Sequence, residues 1–253
     1  MPILLPPSEG KTAPASGAPL DLDALAFPDL AQERRQMLEA LIATSSREDA
    51  LALLGVGASL EEEVRRNLEL ETAPTAPARE VYTGVLFAAL EAQTLTEVPV
   101  AKRAAVHVMS GLFGIVGIDD PIPAYRLSMG AQLSELGRAK TWWRPRLKPV
   151  LDTAFADDLL IDCRSADYRA AWPGPWQHTV TIDVVQIRDG VRKVVSHFAK
   201  HTRGELVGRL LRNPDPLPAT AEDLATAASA WYRVELNQSA RKPASLTVVL
   251  DEP

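Results

Sequence analysis

The chain opens on a short apolar run, Pro2 to Leu5, which reads as a buried strand stopped by Pro6 and Pro7. Pro14 to Pro28 is rich in proline, glycine and alanine and reads as loop. From Ala31 to Ala43 the apolar residues Met37, Leu38, Leu41 and Ile42 fall on one helical stripe. Ser46 reads as the N-cap of a second helix running through Leu54, with Glu48 and Asp49 in its first turn. Ser59 reads as the cap of a third, and the two prolines in Ala73 to Ala78 mark a loop. Val81 to Gln93 has a helical pattern, and Ala104 to Met109 predicts a strand ending at Ser110-Gly111. Trp142 to Phe155 predicts a helix after a proline-interrupted start, and Leu159 to Cys163 a short strand. Thr179 to Ile187 alternates, Val191 to Phe198 follows as a second strand, and Asp189-Gly190 between them is a hairpin signal. Glu205 to Leu211 and Ala219 to Val234 predict helices, and Ser245 to Leu250 a closing strand.

These elements alternate without a regular βαβ rhythm. The expected fold is mixed α/β: one compact domain over residues 1–253, a mixed sheet with surrounding helices, and a helix-hairpin-helix-like element at 47–70. With 253 residues, 46% hydrophobic and 24% charged, the chain is long enough for a real core and excludes wholesale disorder. No apolar run approaches the roughly 20 residues that span a bilayer, and Met1 to Pro7 lacks the basic start of a signal peptide. No membrane partner and a cytoplasmic location are therefore expected. The lone cysteine, Cys163, can form no internal disulfide and no zinc site by itself.

Net charge is -6, but it is unevenly spread. Residues 19–100 hold 15 acids and 6 bases, 101–150 hold 8 bases and 3 acids, and 188–212 hold 7 bases and 2 acids. The two basic blocks either fold into one cationic cleft or pack against the acidic region.

Candidate chemistry sits at predicted strand ends. Pro6 to Thr12 contains Gly10-Lys11-Thr12, but Leu5 stands where a P-loop requires glycine. What survives is a loop offering Ser8, Glu9 and Lys11 where α/β folds often bind ligands. Leu51 to Gly57 followed by a helix has the shape of a helix-hairpin-helix, with Gly55 and Gly57 allowing the turn, although Glu61, Glu62 and Glu63 lie where bases would help. Ser110, Tyr125 and Arg126 suit a polar ligand, the arginine offering a bidentate fork. Lys200, His201 and Arg203 cluster where a helix opens, the most phosphate-like segment, and Asp167 and Tyr168 can join it. His197 and His201 are four apart but lack a third ligand, so neither a metal nor a cofactor is expected.

Taken together, these segments resemble the YaaA family of bacterial peroxide stress proteins. The resemblance rests on Ser8-Glu9-Gly10-Lys11, Val81-Tyr82-Thr83-Gly84, Met109 to Gly114, Pro123 to Gly130, Trp142-Trp143, Leu160 to Tyr168 and Ser196 to Gly204. It implies protection of DNA and limitation of free iron under peroxide stress, through a positively charged cleft that binds duplex or branched DNA without sequence specificity. It also implies that Lys11, Arg126, Lys200 and Arg203 line that cleft and that 47–70 forms the hairpin. The residues leave a second class open: an enzyme acting on a small phosphorylated or nucleotide-like substrate, with Ser8, Lys11, Ser110, Tyr125, Arg126, Tyr168, Lys200 and Arg203 around it.

Overall fold

Ile3-Leu4-Leu5 is fully buried, and an apolar run with no polar alternation is what a central parallel strand requires. A computed structural model of the chain describes residues 1–188, 191–194 and 196–250. In it that run is β1 (Ile3–Leu5), which lies in the middle of the main sheet. There follow α1 (Ala31–Ser45), α2 (Ala50–Leu54), α3 (Glu61–Arg66), β2 (Ala76–Pro77), α4 (Ala78–Val81), α5 (Val85–Leu90) and α6 (Val100–Arg103). Next come β3 (Val106–Ser110), β4 (Gly114–Gly117), β5 (Pro121–Ile122), β6 (Gln132–Leu133), β7 (Gly137–Arg138) and α7 (Ala139–Ala154). The chain closes with β8 (Leu160–Asp162), α8 (Ala166–Ala171), β9 (Thr179–Arg188), β10 (Val191–Val194), α9 (Ser196–Arg212), α10 (Ala221–Ser229), β11 (Arg233–Asn237) and β12 (Ala244–Leu250).

The fold is mixed α/β. Its main sheet has eight strands in the order β11-β12-β9-β8-β1-β3-β4, with β10 paired to β9. β12, β9, β8, β1 and β3 are mutually parallel, and β4, β10 and β11 are antiparallel additions. Ile3 stands opposite both Val106 and Ile161, so one residue fixes the register on both sides. From β1 the chain goes to β3 on one side and later to β8 and β9 on the other. The space beyond the carboxyl ends of β1 and β8 is therefore a topological switch point, where open α/β sheets hold their ligands.

The sequence pattern misplaces several elements. The expected helix 81–93 is cut in two: Tyr82 is extended, Gly84 has φ 108°, and Glu91 (φ 53°) ends α5. The cause is long-range. Lys11 bridges to Tyr82, and Thr12 N–H donates to the Val81 carbonyl at 2.9 Å, drawing this chain out of the helix. Ser46 is the C-cap of α1, its hydroxyl bonded to the Ala43 carbonyl, and Ser59 lies inside a 3-10 turn, Ala58–Leu60. The strand expected at 191–198 ends at Val194, and the helix expected at 205–211 begins at Ser196. The helix expected to reach Val234 stops at Ser229, and β11 follows. The Asp189-Gly190 turn lies outside the described residues, although the flanking β9 and β10 pair antiparallel. No helix among the described residues is long and apolar enough to cross a membrane.

α9 packs on α5 backbone to backbone. A Cβ at Gly204 would stand 2.1 Å from the Leu86 carbonyl oxygen, so only glycine fits. Gly204→Ala is expected to cost about 1–3 kcal/mol or more by overpacking, read as a lower midpoint in urea unfolding followed by circular dichroism.

Candidate functional site

Three parallel strands deliver their following loops to one edge of the sheet. The loop after β1 carries Ser8, Glu9, Gly10 and Lys11, β3 ends at Ser110, and the segment after β8 carries Cys163, Ser165 and Tyr168. α9 adds Lys200 and Arg203 from its first two turns. These groups form two connected parts, an inner polar cluster and an open cavity.

The inner cluster is built around hydroxyls. Ser110 Oγ accepts from the N–H groups of Leu112 and Phe113 at 3.2 and 3.0 Å. Both lone pairs are then used, so its own proton goes to Tyr125 Oη at 2.7 Å. Tyr125 in turn donates to Tyr82 Oη at 2.8 Å. Burial raises the hydroxyl pKa of both tyrosines, so they remain protonated. Above them the Lys11 ammonium lies 4.4 Å from the Tyr125 ring centre and 5.5 Å from that of Tyr82. It donates to the carbonyls of Ser8 at 2.8 Å and Glu9 at 3.4 Å. Arg126 pairs with Glu9 and Glu63, both at 3.3 Å. Its backbone is held from both sides by the buried amide of Asn67, which donates to its carbonyl at 3.0 Å and accepts from its N–H at 2.8 Å.

Lys11 is lowered from 10.5 to about 8, chiefly by burial, which Glu9 and Glu63 oppose and Arg126 reinforces. The unfolded chain thus binds more protons than the folded one between about pH 8 and 10.5, so Lys11 makes stability rise with pH across that window. Stability of the wild type minus that of Lys11→Met is expected to increase from pH 7 to 9.5 in urea titrations. A flat difference would show that the ammonium is not desolvated.

The cavity lies between the loops after β1 and β8 and has a volume of about 270 Å³. Ser8, Tyr168, Lys200 and Arg203 line it, with Pro7, Phe87 and Cys163 among its apolar wall. Ser8 Oγ is engaged, accepting from Thr83 N–H at 2.9 Å and donating to the Gly10 carbonyl. The Arg203 Nε donates to the Ile182 carbonyl at 2.8 Å, which fixes the guanidinium against β9. Neither Arg203 nor Lys200 forms an ion pair among the described residues. The Tyr168 hydroxyl is buried without a hydrogen-bond partner among them; the nearby Met129 backbone lowers its pKa, against the larger effect of burial. Burial raises the Tyr168 pKa well above its ordinary value and pushes the Cys163 thiol up to about 12, so both stay protonated. Cys163 is accordingly a packed, inert thiol.

Of the residues singled out from sequence, Ser8, Tyr168, Lys200 and Arg203 meet at the cavity. Lys11 stands directly behind its wall, while Ser110 and Tyr125 belong to the inner cluster and Arg126 is committed to two carboxylates. Tyr82, Asn67 and Glu63 were not among the site residues expected from sequence, although Tyr82 lies in the Val81 to Gly84 motif and Glu63 in the acidic run after Gly57. The signal at Tyr82 was an aromatic directly before Thr83-Gly84.

The glycines at 55 and 57 join two helices of only five and six residues. Gly55 is left-handed (φ 67°), but a Cβ added at either glycine would meet nothing within 4 Å, so no close approach within the fold demands them. The first turn of α3 carries Glu61, Glu62 and Glu63. Part of the basic blocks is neutralised locally: Arg103 by Asp119, Lys140 by Asp167, Lys148 by Asp152, Arg192 by Glu235, Arg209 by Glu205 and Arg212 by Glu91. Among the described residues no group of three or more His, Cys, Asp or Glu is placed to hold a metal ion.

Comparison with known proteins places this architecture. A family model described as peroxide stress protein YaaA matches residues 1–238. A UPF0246 protein of Streptomyces coelicolor is 40% identical over 260 residues, covering 99% of this chain and 98% of that protein. Another, of Corynebacterium efficiens, is 40% identical over 248 residues, covering 97% and 99%. An uncharacterized protein of Campylobacter jejuni is 28% identical over 222 residues, covering 84% and 85%. With a family model spanning nearly the whole chain and full-length relatives at 40% identity that carry the name UPF0246, the chain belongs to the peroxide stress protein YaaA family.

Proposed function

We propose that this member of the peroxide stress family works by holding a small phosphorylated or nucleotide-like ligand in the cavity beyond β1 and β8. The observation that carries this reading is a pair of cations on the cavity wall, Lys200 and Arg203, with no carboxylate partner among the described residues. An exposed ammonium and a half-buried guanidinium on one wall, without a counter-ion among the described residues, favour an anion entering from solvent. Arg203 supplies a fixed fork, Lys200 a mobile point charge, and Tyr168 a hydroxyl that donates. The same groups suit a positioning and proton-transfer role on a bound substrate.

Family membership favours a second reading, non-specific binding of duplex or branched DNA, with limitation of oxidative DNA damage and free iron. The engaged bases of the two blocks and the acidic start of α3 weigh against a broad phosphate-tracking surface. A cavity of about 270 Å³ takes a small molecule and cannot admit a duplex.

Thermal unfolding with added nucleotides or with duplex DNA at low salt separates the two. Stabilisation by nucleoside phosphates and none by DNA supports the first reading. Stabilisation by DNA that falls steeply with salt, with nucleotides inert, overturns it in favour of the second.

A further inference from the structure

We infer that the ligand of this cavity is a phosphate monoester with a compact apolar ester group, and that Tyr168 is the residue that selects it by donating to the phosphate. The inference rests on the small-ligand reading above and sharpens it in two respects, the chemistry of the ligand's two ends.

The first end is set by charge and donors. Glu9, the one carboxylate on the described cavity wall, is held by Arg126, which leaves Lys200 and Arg203 with two uncompensated charges. A phosphate monoester carries close to two negative charges near neutral pH and three non-bridging oxygens. A carboxylate would leave one cation unmatched. The donors exceed what a carboxylate needs: the Arg203 terminal nitrogens, the Lys200 ammonium, the Tyr168 hydroxyl, and the Ser165 hydroxyl. Ser165 occupies the N-cap position of α8 yet makes no capping hydrogen bond, so its hydroxyl is spare. Tyr168 carries the argument. It is 6% exposed and lines the cavity, and its hydroxyl has no partner among the described residues. An unmade hydrogen bond on a buried hydroxyl is costly, and an incoming oxyanion satisfies it. Because burial keeps Tyr168 protonated, it donates rather than repels.

The second end is set by shape. Pro6, Pro7, Val85, Leu86 and Phe87 make much of the wall apolar. Their side chains carry no polar group for the hydroxyls of a sugar or the edges of a base. At about 270 Å³ the cavity lies below the usual range for larger ligands, which begins near 300 Å³. An aryl or short alkyl group fits such a wall better than a nucleoside.

Isothermal titration calorimetry with phenyl phosphate, inorganic phosphate, benzoate and adenosine monophosphate, on the wild type and Tyr168→Phe, tests this. Phenyl phosphate is expected to bind at least about tenfold more tightly than each of the others, the apolar group accounting for the gain over inorganic phosphate. Tyr168→Phe is expected to weaken phenyl phosphate about tenfold while its melting temperature stays equal or rises, since an unpaired buried hydroxyl is removed. Val85→Trp, which fills the cavity from a half-buried position, is expected to abolish phenyl phosphate binding and serves if the tyrosine variant misfolds. Equal affinity for inorganic and phenyl phosphate, preference for benzoate or adenosine monophosphate, or a neutral or thermally destabilising Tyr168→Phe overturns the inference and leaves the small-ligand reading standing. Failure of every phosphate compound to bind overturns both.

Discussion

Asp162→Ala is expected to destabilise the protein by about 3–5 kcal/mol, the cost of leaving a buried charge without its partner. Asp162 and Arg164 are both fully buried at the carboxyl end of β8. Arg164 meets the carboxylate with Nε at 2.8 Å and a terminal nitrogen at 2.9 Å, and its other terminal nitrogen donates to the Trp172 carbonyl at 2.7 Å. The Arg164 backbone N–H also donates to Asp162, at 2.9 Å, so the pair folds the chain sharply as it leaves the sheet. That bend aims Cys163 and Tyr168 at the cavity. For a chain of this size the melting temperature is expected to fall by roughly 10 °C, measured by calorimetry. A change of a degree or two would show that the pair is solvated and does not anchor the site.

Arg203→Ala is expected to do the reverse, leaving the fold and losing the ligand. Its one hydrogen bond among the described residues, Nε to the Ile182 carbonyl, is worth about 1 kcal/mol to stability. It makes no ion pair among the described residues, so no buried charge is orphaned by its removal. On the phosphate it provides charge-assisted hydrogen bonds, and its loss is expected to cost about 1.5–3 kcal/mol of binding. Arg203→Lys is expected to recover little, because an ammonium cannot reproduce the planar fork. Calorimetric titration and a melting curve on the same variant separate the outcomes. Lost stability with intact affinity would make Arg203 a structural residue.

How much of this was legible in the sequence depended on the range of the forces involved. β1, β3 and β8 were readable because short apolar runs end at Pro6-Pro7, at Ser110-Gly111 and just past Leu160-Ile161. The break between α4 and α5 was not, because Val81 to Gln93 is locally helical and only bonds from Thr12 and Lys11 undo it. It is also where Thr83 and Gly84 come to line the cavity, so the unreadable feature is part of the site. Glycine at 204 gave no signal, since its reason is the Leu86 carbonyl more than a hundred residues away in sequence. Charge was legible as blocks but not as partners. The basic tract 188–212 places Arg209 on Glu205 and Arg212 against Glu91, while Lys200 and Arg203 are left for the cavity.

Anomalous diffraction from a crystal grown with sodium tungstate, an oxyanion that stands in for phosphate, tests the central claim most directly. The account predicts a strong peak in the cavity between the loops after β1 and β8, within hydrogen-bonding reach of Arg203, Lys200 and the Tyr168 hydroxyl. An empty cavity, with tungstate bound instead along α3 at Arg65 and Arg66, would contradict it.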